Sequence, residues 1–226
     1  NGDQGRRAVM RMVEDLLAQE VDRDDIVVLT PRHSGQLGTT ALNYMLSDAL
    51  KAADYYYPRK VYGRWWRLGD RVMQTVNNRM KGVFNGEVGE IIEVNRDKSV
   101  VVAFDGGREI VYKGGEVSEL DLAYAMTVHK SQGSQYPHVI MTLLAPEHGQ
   151  LLSKALLYTG ITRATQCVHV ISDKESIMLA VQGVNERPRW TIGRAVHLEM
   201  LKAKRTSPAP DEPDVKNDCR RGLAWN

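Results

Sequence analysis

The stretch Leu122–Leu144, LAYAMTVHKSQGSQYPHVIMTLL, decides the fold class of this chain. It begins with LAYAMT and ends with HVIMTLL, two apolar runs whose length and composition are typical of strands buried in a parallel sheet. Between the two runs lie hydroxyl, imidazole, ammonium and amide side chains and a glycine. Ligands of open α/β sheets bind beyond the carboxyl ends of the strands, so the residues that follow Thr127 are where a binding site is expected.

This polar segment has the chemistry of a phosphate-binding loop. Thr127, His129, Lys130 and Ser131 can all donate hydrogen bonds to phosphate oxygens. Gly133 would let the backbone approach a phosphate closely. Polar turns between strands and helices are also common without any ligand, with Ser131 as a helix cap. Spacing alone leaves both interpretations open.

The flanking sequence predicts an α/β sheet. Val9, Val13 and Leu16 have helical spacing within AVMRMVEDLLAQE, and the apolar run 26–29 predicts a buried strand. GTTALNYMLSDAL then predicts a helix, with Thr39 or Thr40 as its cap. After residue 120 the same alternation returns, with a helix in SKALLYTGITRA, a strand in CVHVIS and a helix in KESIMLAVQG.

The middle of the chain has a different pattern. From about residue 67 to residue 120, short runs rich in β-branched residues are separated by turn signals. These signals are Asn85-Gly86, Arg96-Asp97 and Asp105-Gly106-Gly107, which favour hairpins. We therefore predict a small antiparallel barrel of the SH3 type, inserted in the α/β domain.

A second polar cluster lies in LLYTGITRA. The predicted helix carries Tyr158, Thr159, Thr162 and Arg163, with Thr159 and Arg163 on one face, and we expect 157 and 161 to face the core. An arginine held on a helix can act as an arginine finger on a transferring phosphoryl group. A surface arginine without a catalytic role is the alternative.

Together these segments resemble the motifs of a known family. YAMTVHKSQGSQ and YTGITRA resemble motifs V and VI of superfamily-one DNA helicases, most closely the RecD/TraA class. VLTPRHSGQLGTTALN is similar to the motif IV region of that class, and GDRVMQTVNNRMKGVFNGEVGEI is similar to the entry into its inserted SH3-like domain. The motifs occur in the family's order, and the resemblance covers about residues 25 to 182.

The resemblance implies an architecture and a set of roles. It implies a second RecA-like (P-loop NTPase-type) domain formed by 1–66 and 121–200 and an SH3-like domain at 67–120. Independently of the resemblance, the polar, proline-containing composition of 201–226 predicts a flexible tail. Binding to single-stranded DNA is implied for Thr127, His129, Lys130 and Asn78. Nucleotide binding is implied for Gly133, Gln135 and Arg32. Arg163 is implied to be the arginine finger of an ATP-driven helicase that moves 5′ to 3′.

The chain departs from the family pattern in three places. Gln135 stands where the family has Glu, and His33 and Ser34 precede the glycine of motif IV where basic residues are usual. No GxxxxGK[ST] motif and no acidic motif after a strand is present, so ATP and Mg²⁺ would be held mostly by a missing first RecA-like domain. We therefore expect the chain alone not to hydrolyse ATP. Its start at Asn1 rather than Met fits a C-terminal fragment of a longer helicase.

Composition sets broader expectations. The formal net charge of the 226 residues is +2, so any DNA-binding surface must be a local groove. The two cysteines, without a CxxC pair, favour a reducing, cytoplasmic location over a disulfide framework. No apolar run reaches about 18 residues, so no membrane contact is expected. The histidines do not have metal-ligand spacing, and no metal site is predicted at His138, His148, His169 or His197.

Two features leave alternatives open. Tyr55–Arg71 interleaves aromatic and basic residues, which suits base stacking, but we favour simple packing on strands. Asn77 and Asn78 suit a DNA contact or a turn equally well. At the level of function, the alternative to a helicase motor is a non-catalytic module that holds single-stranded nucleic acid or a protein. Arg163 favours the motor, because a binding module has no need of an arginine finger.

Overall fold

The computed structural model describes residues 2–50 and 58–182, all within one compact unit, Asn1–Glu186. The predicted tail at 201–226, the predicted domain end at 183–200 and the aromatic residues 55–57 lie outside the described residues, as do His197 and Cys219. The elements of the first part are α1 (Gly2–Ala18), β1 (Ile26–Thr30), α2 (Thr39–Ala49), β2 (Arg59–Val61) and β3 (Arg64–Trp66). Those of the middle part are β4 (Arg71–Gln74), β5 (Val88–Val94), β6 (Val100–Phe104), β7 (Arg108–Tyr112) and β8 (Leu120–Leu122). The last part contains β9 (Ala125–Thr127), β10 (Tyr136–Leu143), α3 (Ala145–His148), α4 (Lys154–Ile161), β11 (Ala164–Ser172) and α5 (Lys174–Gln182).

Four strands from the two ends of the described chain form a parallel sheet. Its strand order is β11-β10-β1-β9, and every neighbouring pair is parallel. Strand β1 lies in the interior of this sheet, and all five of its residues are buried, because helices cover both faces. The predicted α/β class with a parallel sheet is confirmed.

The parallel sheet is packed between two helical layers. On one face, α1 contributes Val9, Val13 and Leu16, whose spacing of three to four residues places them on one side of the helix. On the other face, α4 and α5 contribute Leu156 and Ala180, which pack with Met141 of β10. Helices therefore cover both faces of the sheet, and a ligand is expected at the ends of its strands.

The middle of the chain forms a five-stranded antiparallel sheet with the order β7-β6-β5-β4-β8. Its core contains Val72, Ile91, Val102 and Tyr112, all fully buried. The predicted turns occur where expected, and Gly106 and Gly107 have φ angles of 79° and 74°, which favour glycine. The predicted SH3-like insert is confirmed as a fold, while the exact domain boundaries stay a prediction.

The predicted strand LAYAMT is wrong in detail. Leu122 ends β8 of the antiparallel sheet, and the parallel sheet begins only at Ala125 with β9. The two residues between them, Ala123 and Tyr124, carry the chain from one sheet to the other. Both are buried, which is why the whole run is apolar although it serves two sheets.

Two local predictions about helices are also wrong. Neither Thr39 nor Thr40 caps α2, since the N-cap is Gly38 and no side chain caps the helix. A Cβ atom on Gly38 would collide with the carbonyl oxygen of His33, so this close approach needs glycine. On α4, Leu156 and Gly160 are buried, and Leu157 packs partly buried against the same core, whereas Ile161 is 40% exposed, so the expected core face is wrong at Ile161.

Candidate nucleotide and nucleic-acid site

The carboxyl end of the parallel sheet carries the first group of predicted residues. Thr127 ends β9 beside Thr30, the last residue of β1, and both are buried. The Thr127 hydroxyl accepts a hydrogen bond of 3.3 Å from the backbone N–H of Lys130. A small cleft opens here, and its lining includes His33, Thr39, Asn43, Thr127 and Lys130. Lys130 thus lines a cleft that also includes Thr127, the last residue of β9.

The predicted phosphate-binding segment is a run of turns. Residues 128–133 form consecutive turns, held by backbone bonds such as Ser131 N to Thr127 O at 3.1 Å. No helix begins at Ser131, whose buried hydroxyl instead donates to the Val128 carbonyl at 2.8 Å. The helix-cap alternative is therefore wrong. Gly133 is exposed with φ at 93°, a conformation that favours glycine, and His129 is exposed nearby.

This segment runs from the carboxyl-terminal ends of the parallel strands back to their amino-terminal ends. We call these two sides of the sheet its carboxyl edge and its amino edge. Thr127 lies at the carboxyl end of β9, whereas Tyr136 lies at the amino end of β10. The strand pairing of Leu29 with Met141 puts the two levels six residues apart along β10, which is about 20 Å. The eight residues between Thr127 and Tyr136 therefore connect the two opposite edges of the sheet.

Arg163 lies at the amino edge, next to the end of this crossing segment. It follows the C-cap of α4, Thr162, so the predicted position within the helix is wrong by two residues. Its Nε donates to the Thr159 carbonyl at 3.2 Å, one terminal nitrogen donates to the Ser134 carbonyl at 3.1 Å and the other to the Thr162 hydroxyl at 3.3 Å. The Arg163 carbonyl accepts from Tyr136 N at 2.8 Å. The half-buried guanidinium is thus fixed against the predicted nucleotide loop.

The three predicted nucleotide-binding residues do not all lie at the same edge of the sheet. Gln135 is exposed and adjoins Tyr136, so it lies at the edge that holds Arg163, and Gly133 comes two residues before it. Arg32 follows the opposite, carboxyl end of β1, where its guanidinium donates to the Glu147 carbonyl at 2.8 Å. The structure does not bring Arg32 together with Gly133 and Gln135.

Asn78 lies in the connection between β4 and β5, within a turn closed by an isolated bridge to Val83. Its Oδ1 accepts from Lys81 N at 3.2 Å, and its Nδ2 donates to the Glu119 carboxylate at 3.1 Å. The side chain of Asn77 likewise accepts from Asn85 N. These contacts favour the turn role for both residues, and a DNA contact by Asn78 stays a prediction.

Two buried polar residues that we did not single out from the sequence join the sheets. Asn43 of α2 donates to the carbonyls of Leu122 and Ala125 at 2.8 and 2.9 Å and accepts from Ala125 N at 2.7 Å. It thereby clamps the residues that pass between the sheets. The available signal was its position, since Asn43 falls on the buried face of α2 with Leu42 and Leu46.

The second is Asp70, which lies just before β4. Its carboxylate accepts from Ser47 Oγ at 2.9 Å, from Arg67 N at 2.8 Å and from the Tyr124 hydroxyl at 3.1 Å. Burial raises the pKa of Asp70 above its usual value, although these hydrogen bonds act in the opposite direction. Asp70 therefore anchors the start of the antiparallel sheet to α2.

His148 connects the carboxyl edge to α3 through a buried hydrogen-bond chain. Its Nδ1 accepts from Leu144 N at 3.0 Å, and its Nε2 lies 3.3 Å from the Thr30 hydroxyl, which donates to the Leu37 carbonyl at 2.6 Å. This chain fits a neutral ring with its proton on Nε2. Burial, and then the positive charge of Arg32, lower the pKa of His148 from 6.5 to about 4.

We expect acid to destabilise the protein through His148. Its pKa is lower in the folded than in the unfolded chain, so its contribution is complete above pH 6.5 and is lost as the pH falls towards 4. The loss amounts to roughly 3 kcal/mol. Urea unfolding of the parent and of His148→Gln, which cannot titrate, should show this loss in the parent alone. The exposed His129→Gln is the control and should behave as the parent; parallel pH profiles for the parent and His148→Gln would contradict the prediction.

Neither a metal site nor a membrane span is evident in the described part of the chain. Residues 2–50 and 58–182 contain no group of three or more His, Cys, Asp or Glu side chains that could hold a metal ion. No helix among these residues is both long and apolar enough to cross a membrane.

Family profiles match both parts of the structure. Residues 42–104 match a profile described as the ATP-dependent RecD-like DNA helicase SH3 domain, and residues 122–171 match the UvrD-like helicase C-terminal domain. The second match includes the crossing segment and Arg163. The chain is therefore related to superfamily-one DNA helicases, as its motifs predicted.

Two individual relatives place this similarity within the RecD group of helicases. The chain is 34% identical over 162 residues to the ATP-dependent RecD2 DNA helicase of Deinococcus radiodurans, a match that covers 72% of this chain and 21% of that protein. It is 26% identical over 199 residues to the RecBCD enzyme subunit RecD of Haemophilus influenzae, covering 80% and 29%. The predicted resemblance to the RecD class is confirmed. The chain spans less than a third of the length of either relative.

A solved structure supports the fold. The crystal structure of Pif1 helicase from Bacteroides in complex with ADP-AlF3 and ssDNA aligns with a TM-score of 0.50 and 18% identity, covering 89% of this chain and 54% of that one. A likeness at this identity shows a shared architecture. It agrees with a parallel α/β sheet of the helicase type.

Proposed function

We propose that the chain is the C-terminal motor portion of an ATP-dependent 5′–3′ DNA helicase. In this proposal, 1–66 and 121–200 form the second RecA-like domain and 67–120 the SH3-like insert. The domain binds single-stranded DNA at its carboxyl edge and completes an ATP site at its amino edge. The relationship to RecD-like helicases supports the class of protein. The positions of Lys130 and Arg163 at opposite edges of the sheet support separate sites for DNA and ATP.

The observation that carries this proposal is the crossing segment. Its first residues, up to Lys130, follow Thr127 at the proposed DNA edge, and Ser134 near its end accepts a hydrogen bond from Arg163. A displacement of the arginine when nucleotide binds or leaves would be transmitted through a short, hydrogen-bonded chain to the DNA contacts. That is what a motor needs and what a simple binding module does not.

Arg163 suits the role of an arginine finger. A guanidinium has five N–H donors, and three of those of Arg163 are used by the chain's own oxygen atoms. The remaining two lie on the terminal nitrogens, where a planar fork can contact phosphate oxygens. ATP would supply the phosphoryl group whose charge builds up during transfer, and the fixed guanidinium would stabilise that charge without reorganising.

The other wall of the nucleotide site would come from outside this chain. Gly133 and Gln135 would contribute near the nucleotide, and Arg32 is left out because it lies at the opposite edge. The described residues offer donors for phosphate but no carboxylate cluster for Mg²⁺, so a first RecA-like domain would hold the ion together with the P-loop. The chain alone is then expected to lack ATPase activity.

DNA binding by the isolated chain tests the proposal. We expect weak, salt-sensitive binding of single-stranded oligonucleotides, because only part of the groove is present. Lys130→Ala should weaken binding equally for all sequences and reduce the slope of log K against log salt by about 1, since a phosphate contact carries no base information. Fluorescence anisotropy over a salt series measures both quantities.

The control for this experiment is Lys154→Ala. Lys154 is an exposed lysine at the first residue of α4, and it does not line the cleft at Lys130. Its removal changes the net charge by the same amount and should leave the salt slope close to that of the parent. A parent chain that does not bind single-stranded DNA, or equal effects of the two lysines, would count against the proposed DNA edge.

A further inference from the structure

A second cleft lies between α2 and the hairpin formed by β2 and β3. We call it the aromatic cleft, and its main lining residues are Asn43, Tyr44, Arg64, Trp65, Trp66 and Asp121. Its volume is about 90 Å³. One wall of the cleft is a helix and the other is a β-hairpin.

The aromatic cleft continues the cleft at Thr127 and Lys130. The two share Asn43, Asp121 and Leu122 in their linings. Helix α2 contributes to both clefts. Thr39 lines the first cleft, and Tyr44, five residues further along the helix, lines the second. A strand whose phosphates lie on Lys130 therefore has a continuous surface to follow as far as Trp65.

The two neighbouring tryptophans of the hairpin have different environments. Trp66 is 1% exposed and packs in the core of the antiparallel sheet, as the packing interpretation of this stretch predicted. Trp65 is 50% exposed and Tyr44 is 55% exposed, so packing does not account for them. The Nζ atom of Lys60 lies over the Trp65 ring, 5.9 Å from its centre, which puts a positive charge at one face of that ring.

Two polar features define what the aromatic cleft can accept. The Asp121 carboxylate lies 3.5 Å from the Arg64 guanidinium in the cleft lining, so a phosphate would meet a negative charge there. Trp66 also lines the cleft, but its indole nitrogen is buried, and it has no acceptor among the described residues. An uncharged, flat group fits this lining better than an anion.

We propose that the aromatic cleft binds a base of single-stranded DNA, which stacks on Trp65 and Tyr44. This inference rests on the proposed function, since it extends the same DNA path beyond Lys130. The base enters the cleft, while its phosphate stays outside near Lys60 and away from Asp121. Stacking on aromatic side chains tolerates every base, so the cleft adds affinity without sequence preference.

The test compares normal and abasic DNA. The 226-residue chain and its Trp65→Ala and Tyr44→Ala variants are titrated with labelled oligothymidylate and with an abasic oligonucleotide of equal length, by fluorescence anisotropy. We expect each alanine variant to lose about tenfold in affinity for oligothymidylate and almost nothing for the abasic strand. The salt slope should not change, because no phosphate contact is removed. Trp65→Phe should keep most of the parent's affinity.

Tyr158→Ala is the matched control, because Tyr158 is 71% exposed on α4 and does not line either cleft. It should bind both oligonucleotides as the parent does. Parent-like affinity of Trp65→Ala for oligothymidylate, with Lys130→Ala still weakened, overturns the aromatic cleft and leaves the proposed function standing. Equal losses on normal and abasic DNA also overturn it, because the effect then does not come from a base. A parent that binds neither strand overturns both.

Discussion

Arg163→Ala should lower kcat for ATP hydrolysis by roughly 10³-fold in the complete helicase that contains this chain. The reason is electrostatic. Negative charge on the γ-phosphoryl oxygens increases towards the transition state, and a fixed guanidinium stabilises that state more than it stabilises bound ATP. Arg163→Lys should not restore the rate, because an ammonium group lacks the planar fork. Steady-state phosphate release at saturating single-stranded DNA and Mg²⁺ measures the effect.

Two controls separate catalysis from structure. Arg163 also bonds to the carbonyls of Ser134 and Thr159, so its loss could disturb the crossing segment. If the loss of kcat is catalytic, affinity for single-stranded DNA and thermal unfolding of the variant stay close to those of the parent. Arg96→Ala removes an exposed arginine from the turn between β5 and β6 and should keep full turnover. An Arg163→Ala enzyme with parental kcat would remove the finger assignment and restore the binding module as the better hypothesis.

Asn43→Ala should lower the free energy of unfolding by about 3 to 5 kcal/mol. The substitution leaves the buried N–H and C=O of Ala125 and the C=O of Leu122 without their side-chain partner. Each unsatisfied buried group costs about 1 to 3 kcal/mol. Urea unfolding followed by circular dichroism measures the change.

The comparison for Asn43 comes from the same helix. Thr40→Ala alters an exposed residue of α2 and should change the free energy of unfolding by less than about 0.5 kcal/mol. Asn43→Asp keeps the acceptor for Ala125 N but loses both donors and buries a charge, so it should also be strongly destabilised. If Asn43→Ala unfolds within about 1 kcal/mol of the parent, the three bonds do not hold the two sheets together.

Hydrophobic periodicity predicted most helices and strands correctly, because buried positions need apolar residues and their spacing follows the geometry of each element. The run 26–29 is apolar throughout and forms an interior strand, and the turn glycines of the antiparallel sheet mark real hairpins. LAYAMT was predicted as a single strand for the same reason, since it is apolar throughout. A buried connection between two sheets is as apolar as a strand, and no local signal marks the change of sheet at Ala123 and Tyr124.

The site was predictable by residue type but not by position. Motif resemblance grouped Arg32 with Gln135, yet strand direction separates them, because one follows β1 and the other precedes β10. The end of the sheet at which a residue lies depends on where its strand begins and on whether the neighbouring strands are parallel, and similarity of motifs carries neither piece of information. Trp65 and Trp66 show the same limit, since alternation predicts that two neighbours face opposite sides but not which side is covered.

The attachments of the barrel to α2 restrict how it can move. Ser47 holds the entry to the barrel through Asp70, and Asn43 holds the exit through Leu122 and Ala125. These two attachment points are four residues apart on one helix, or about 6 Å. Two further contacts lie away from α2, because Arg71 of β4 donates to the Ile26 carbonyl at 3.3 Å and Arg23 pairs with Glu90 of β5 at 3.4 Å. Rotation of the barrel about α2 would break both of these contacts, so we expect the barrel and the parallel sheet to move together as one lever.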